Sequence, residues 1–144
     1  MSAFLTLFDM IGTLAARRLV TAERCFARIG LNHTEARLLS LLHEAGGQAT
    51  QDELSSRLLV DRSNAGRALK RLEAKDYVAR QKSDADGRSN TVRMMQEGAG
   101  KVLEIAEMKS VIAESIFGQL GEEEAAAASQ LLAKAVGKSG HSNR

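Results

Sequence analysis

Proline and tryptophan are absent from this 144-residue sequence, and aromatic residues make up only 3% of it. A core so poor in aromatics must be built from Leu, Ala, Val, Ile and Met. That composition favours packed helices over a β-sandwich, whose strands prefer aromatic and β-branched residues. Missing proline lets long segments stay helical without a break. With one cysteine, Cys25, no internal disulfide can form, which suits a reducing compartment. No apolar run reaches the length of a membrane span. The opening MSAFLTLFDMIGTLAARRLV lacks a basic leader and a small-residue cleavage site, and Asp9 interrupts its apolar stretch. The expected location is therefore cytoplasmic, with no membrane partner. Neither sign of charge dominates: 20 Lys and Arg stand against 18 Asp and Glu, a formal net charge of +2. Where the charge lies therefore matters more than its total.

What is present is helical periodicity. Phe4, Phe8, Ile11, Ala15, Leu19, Ala22, Phe26 and Ile29 step by three and four, averaging about 3.6 residues, as one helical face requires. Leu5, Leu7 and Leu14 widen that face beyond what one small domain can cover, so a dimer contact is expected there. Gly30 closes this helix, and Thr34 is placed to cap a second, TEARLLSLLHEAGG, which buries Leu38, Leu39, Leu41 and Leu42 and stops at Gly46-Gly47.

Residues 50–95 carry the chemistry. Thr50 opens a third helix, with Glu53 at the position of a capping box. Leu54 and Leu58 face inward, a turn follows at Leu59-Val60, and Asp61 can cap a fourth helix running to about Lys75. There Ala65, Ala68, Leu69 and Leu72 form the inner stripe, while Ser63, Asn64, Arg67, Lys70 and Arg71 point away from it. Tyr77–Gln81 and Thr91–Met94 read as short strands around the polar segment SDADGRSN. Later helices begin near Val102 and at Glu122–Glu124, and GKSGHSNR reads as a frayed tail.

A helix of this kind fits the major groove of double-stranded DNA, where Arg is the side chain best shaped for the guanine edge. Residues near a recognition helix's start point deepest, which makes Arg62, Ser63, Asn64 and Arg67 the base-reading candidates. Lys70 and Arg71 are assigned to phosphates, which position without reading sequence. Thr50, Gln51 and the first amides of the third helix could hold a phosphate as well. In the hairpin, Asp86 can brace Arg88 and leave its guanidinium extended toward a narrow minor groove. Between Asp61 and Arg93 nine basic residues oppose five acidic ones, concentrating positive charge on this unit. Gly66 costs its helix about 1 kcal/mol relative to Ala, so a close approach by the preceding helix or by DNA is expected there.

Other chemistry finds no constellation. His33, His43 and His141 are scattered, with no pair at metal-binding spacing, so neither a metal nor a cofactor is expected. There is no phosphate loop, metalloprotease helix or nucleophile elbow, so no enzyme is expected. A winged-helix module that binds protein instead of DNA is the competing class, and it would need an apolar recognition face.

The segments LNHTEARLLSLL, TQDELSSRLLVDRSNAGRALKRLE and DADGRSNTVRMMQEG, from about Leu31 to Gly98, resemble the MarR family of bacterial regulators. The resemblance implies a mainly α fold with a small β-hairpin wing, a winged helix–turn–helix flanked by long N- and C-terminal dimerisation helices. Its expected organisation is a single domain over 1–144, with a DNA-binding lobe at 31–97, dimerisation helices at 1–30 and 98–136, and a flexible tail at 137–144. It also implies a homodimer with intertwined end helices, an inverted-repeat operator, repression, and release by a small-molecule effector. His33 and Arg37 stand where the family's pocket begins, and an anionic aromatic ligand is the corresponding expectation. A thiol sensor at Cys25 is an alternative, although such relatives support the cysteine with tyrosines and the only Tyr here is Tyr77. Two positions depart from the pattern. Met94-Met95 replace the usual Leu-Thr, removing a cap worth about 1 kcal/mol. Asp76 replaces a glycine, as a tolerable left-handed substitute.

Overall fold

The computed structural model describes residues 2–59, 62–82 and 90–141. Helix α1 (Ala3–Ala27) begins at Ser2, whose hydroxyl accepts a hydrogen bond from the Phe4 N–H. Its last turns bury Thr21, Ala22, Cys25 and Phe26. Toward its start the apolar residues face outward, with Phe4 85% and Phe8 75% exposed. Of the eight-residue seam, the chain itself fully buries only Ala22 and Phe26.

The α1 end is closed from a distance. Gly30 takes a positive φ of 78°, and the chain turns back so that Leu31 N–H donates to Phe26 O (3.0 Å). Lys75 and Lys101 then donate to the carbonyls of Gly30 (2.6 Å) and Ile29 (2.8 Å). Two ammonium groups thus satisfy carbonyls of the turn that follows α1.

Helix α2 (His33–Glu44) is capped by Asn32, not by Thr34 as the sequence suggested. Asn32 Oδ1 accepts from Glu35 N–H, and Glu35 Oε1 accepts from Asn32 N–H, both at 2.8 Å. This reciprocal pair fits Asn32 and Glu35 better than Thr34, which falls inside the first turn. Gly46 and Gly47, with φ of 89° and 95°, end α2 and lead into a strand the sequence did not suggest, β1 (Gln48–Thr50).

Helices α3 (Gln51–Leu58) and α4 (Arg62–Ala74) follow. Thr50 Oγ1 caps α3 by accepting from Glu53 N–H (3.1 Å), which is one half of the expected box. The Asp61 cap lies outside the described residues. Leu38, Leu39, Leu42, Leu54, Ala65, Ala68, Leu69 and Leu72 are almost wholly buried and make the core of this lobe. The turn after α4 uses Asp76 at φ 63°, the left-handed position expected of it.

Strands β2 (Val78–Lys82) and β3 (Asn90–Met94) pair antiparallel with Arg80 opposite Val92. β1 joins the other edge of β3 with Ala49 opposite Val92, giving the order β1-β3-β2. Val92, at the centre, is fully buried. Helix α5 (Gln96–Phe117) begins against the base of this sheet. A side chain at Gly98 would collide with the Tyr77 carbonyl, so only glycine allows that approach.

The chain forms two compact units, divided within α5 at Ile112 and Ala113. The second holds the end of α5, a turn through Gly118 and Gly121, and α6 (Glu122–His141). Glu122, Glu123 and Glu124 fill the first turn of α6, where acids complement the helix dipole. The helix continues past Val136 to His141, beyond the end expected from sequence, because nothing in AKAVGKSGH forbids helical backbone. Among the described residues no helix is long and apolar enough to cross a membrane.

Candidate nucleic-acid interface

The inner stripe of α4 determines what its outer face can present. With Ala65, Ala68, Leu69 and Leu72 buried, Ser63, Asn64, Arg67 and Lys70 are exposed together on the opposite side. Arg67 Nη2 donates to Asn64 Oδ1 at 2.7 Å, one helical turn away, so the guanidinium is held extended along the surface. Arg62 opens the helix, and its side chain lies outside the description, as do Asp86 and Arg88 of the hairpin tip.

Arg71 has a different position from the one expected. Its Nε donates to Glu35 Oε2 at 3.1 Å, and Lys75 Nζ stands 3.9 Å from the same oxygen. Glu35 is only 3% exposed, and such a buried carboxylate requires this pairing. One side of Arg71 therefore serves the fold, tying α4 to the start of α2, while half of the side chain remains exposed.

Gln51, expected at a phosphate, lies at the centre of a small polar network. Its Oε1 accepts from Arg80 Nη1 (3.4 Å) on β2 and from Asn90 Nδ2 (3.3 Å) on β3. Arg80 also donates from Nε and Nη2 to Glu73 Oε1 of α4, at 3.3 and 3.2 Å. A Cβ on Gly66 would stand 3.2 Å from Gln51 Nε2. The close neighbour that Gly66 implied is thus the first residue of α3. Together these contacts fix the start of α3, the outer helix α4 and the root of the hairpin as one assembly. Sequence reading missed Glu73 and Arg80, because their opposite charges are joined only by the turn between α4 and β2.

A cleft of about 310 Å³ opens among α1, the start of α2 and the end of α3. Ala15, Arg18 and Leu19 of α1 line it with His33, Thr34 and Arg37 of α2, and Leu58 and Leu59 close it. The two residues expected at an effector site, His33 and Arg37, are thus brought together, and Arg18 joins them. Arg37 Nη2 donates to the Arg57 carbonyl at 3.4 Å, yet neither Arg18 nor Arg37 is ion-paired among the described residues. His33 stacks on Phe26, and its buried Nδ1 has no hydrogen-bond partner among those residues. Burial first, then the charges of Arg37 and Arg18, lower the His33 pKa below 6.5, while Glu23 acts in the opposite direction. Cys25, by contrast, is buried in the core and is not among the residues lining this cleft.

Residues 29–89 match the sequence model of the MarR family. The fold closely follows apo wild-type MarR from E. coli, with a TM-score of 0.79, 21% identity and coverage of 90% of this chain and 95% of that one. A mutant E. coli MarR complexed with operator DNA gives 0.76 at 20% identity, covering 92% and 94%. BpsR of Bordetella bronchiseptica, whose DNA binding is regulated by 6-hydroxynicotinic acid, gives 0.80 at 21%, covering 91% and 98%. No curated protein matches the sequence. At such identities the structural likenesses establish the fold: a mainly helical winged helix of the MarR type.

Proposed function

We propose that this chain is a regulator of the MarR family, a cytoplasmic homodimeric repressor that binds an inverted-repeat operator, a reading supported by the match over residues 29–89 and by the fold. The observation that carries this reading is the exposed polar and basic face of α4, held by Gln51, Glu73 and Arg80 against α3 and the hairpin root. An interface for a protein partner would favour an apolar face there, and Ser63, Asn64, Arg67 and Lys70 offer none. Ser63, Asn64 and Arg67 read bases, with Arg62 beside them, and Lys70 binds phosphate. Thr50 and the first amides of α3 are the anion site at the helix start. Arg88, braced by Asp86, reaches the minor groove.

Residues 31–97 act as the DNA-binding lobe. The helices of 1–30 and 98–136 form the dimer, as the outward-facing Phe4, Phe8, Leu103 and Leu131 favour. The cleft at Arg18, His33 and Arg37 takes a small organic anion that releases the operator. Guanidinium groups without carboxylate partners among the described residues, lining the cleft with Leu19 and Leu58, suit a ligand with a carboxylate and an apolar body.

Fluorescence-anisotropy titration of the DNA upstream of the chain's own gene, against scrambled DNA across a salt series, tests the DNA reading. Preference for the upstream DNA, with affinity falling as salt rises, is the expected result. Arg67→Ala should then cost about 1–3 kcal/mol at one base pair per half-site and relax preference there. Equal loss on every base variant would reduce Arg67 to a phosphate contact. A folded protein that binds neither DNA would overturn the proposal.

A further inference from the structure

Leu59 is not the residue that its place at the end of α3 calls for. Its φ of 62° and ψ of 26° place it in the left-handed region, which side chains branched beyond Cβ rarely occupy. Glycine is the ordinary residue at such a helix end. Nor does burial compensate: Leu58 enters the core, whereas Leu59 is 90% exposed. Leu59 is, however, among the residues lining the cleft that holds Arg18, His33 and Arg37. Backbone strain at an exposed apolar residue, on the rim of a cationic cleft, points to a functional constraint rather than a packing one.

We infer that Leu59 is a specificity-determining residue of this cleft, supplying apolar contact to the hydrocarbon body of an organic anion whose charged group lies on Arg18 and Arg37. The inference rests on the reading of the cleft as the effector site. Two features of the cleft agree with it. The arginines lack carboxylate partners among the described residues, and His33 Nδ1 is buried without a partner. An inorganic anion would use the guanidinium groups alone and would be indifferent to Leu59. An anion with an aromatic or aliphatic body would sense both. Leu59 therefore separates organic carboxylates from sulfate or phosphate, a discrimination that the arginines cannot make.

Isothermal titration calorimetry with benzoate and with sulfate tests this on the full chain. Leu59→Gly should weaken benzoate about tenfold by removing the apolar contact, and leave sulfate unchanged. The same variant should melt roughly 2–6 °C higher than the parent, because glycine relieves the left-handed strain. Leu59→Ala should lose benzoate similarly without that rise in melting temperature, since its Cβ keeps the strain. Unchanged benzoate affinity in Leu59→Gly, or a lower melting temperature, would overturn the assignment. Arg37→Gln distinguishes the two layers of the argument. If it abolishes benzoate binding while Leu59→Gly does not, the cleft reading stands and Leu59 falls. If the parent chain takes up no benzoate, or Arg37→Gln binds it as the parent does, both fall.

Discussion

His33 couples the cleft to pH in a direction that follows from its surroundings. Burial and the neighbouring guanidinium groups of Arg37 and Arg18 hold its pKa below 6.5, so the folded chain keeps it neutral where the unfolded chain would protonate it. Between those two pKa values the unfolded state binds more protons, and stability rises with pH. The contribution is fully present above 6.5 and is lost as pH falls through the folded value. Urea denaturation across the acid range should show this slope in the parent and a flatter one in His33→Gln; equal slopes would remove His33 from the account. At the residue scale the sequence was a good guide to which side chains face out and a poor one to their partners. Ser63, Asn64, Arg67 and Lys70 follow from the buried stripe of α4, because helical period alone decides their side. Arg71 sits on the edge of that stripe, and only the fold brings the buried Glu35, thirty-six residues earlier, within reach. Gln51 was equally opaque. Its partners Arg80 and Asn90 come from two strands whose register no local pattern fixes.

Elements were legible in proportion to their length. The helices have enough turns for the apolar period to show, and the hairpin strands are bounded by a turn-rich segment. β1 has three residues, too few for any alternation to declare itself, and exists because β3 offers it an edge. The α2 cap was misassigned by two residues because Asn32 and Thr34 are both good capping residues, and the reciprocal bond to Glu35 decides between them. The contact that sets α5 was not legible at all. Gly98 lies in its first turn, where its lack of a side chain lets the helix meet the Tyr77 carbonyl, reinforced by Met95 N–H donating to that oxygen at 2.9 Å. Gly98→Ala should gain helix propensity of about 1 kcal/mol. It must also force helix and strand root apart, an overpacking cost of about 1–3 kcal/mol. The backbone atom cannot give way as a side chain would, so the net change should be a loss of stability. Chemical denaturation would measure it, and a more stable variant would show that the α5 start is free to shift.

For the whole molecule the decisive quantity is the apolar surface that one chain leaves uncovered. Phe4, Leu5, Leu7, Phe8, Met10 and Ile11 are all exposed on the first turns of α1, a continuous patch of the kind that monomers seldom present to water. In a two-fold dimer the same patch is buried on both chains, so each substitution counts twice. Full burial of an aromatic side chain is worth about 1.5–3 kcal/mol, and Phe4 and Phe8 across two chains would together supply about 6–12 kcal/mol. Phe4→Glu with Phe8→Glu would remove that term and place four carboxylates in the interface. Because both residues lie on the surface of the single chain, its own core should be untouched. Analytical ultracentrifugation should find the parent dimeric at micromolar concentration and the double variant monomeric, with its helical circular dichroism retained. Operator affinity should fall with it, because an inverted repeat is held by two recognition helices at once and a monomer engages only one half-site. A double variant that stayed fully dimeric would move the interface off the start of α1, and the exposed phenylalanines would then need another partner.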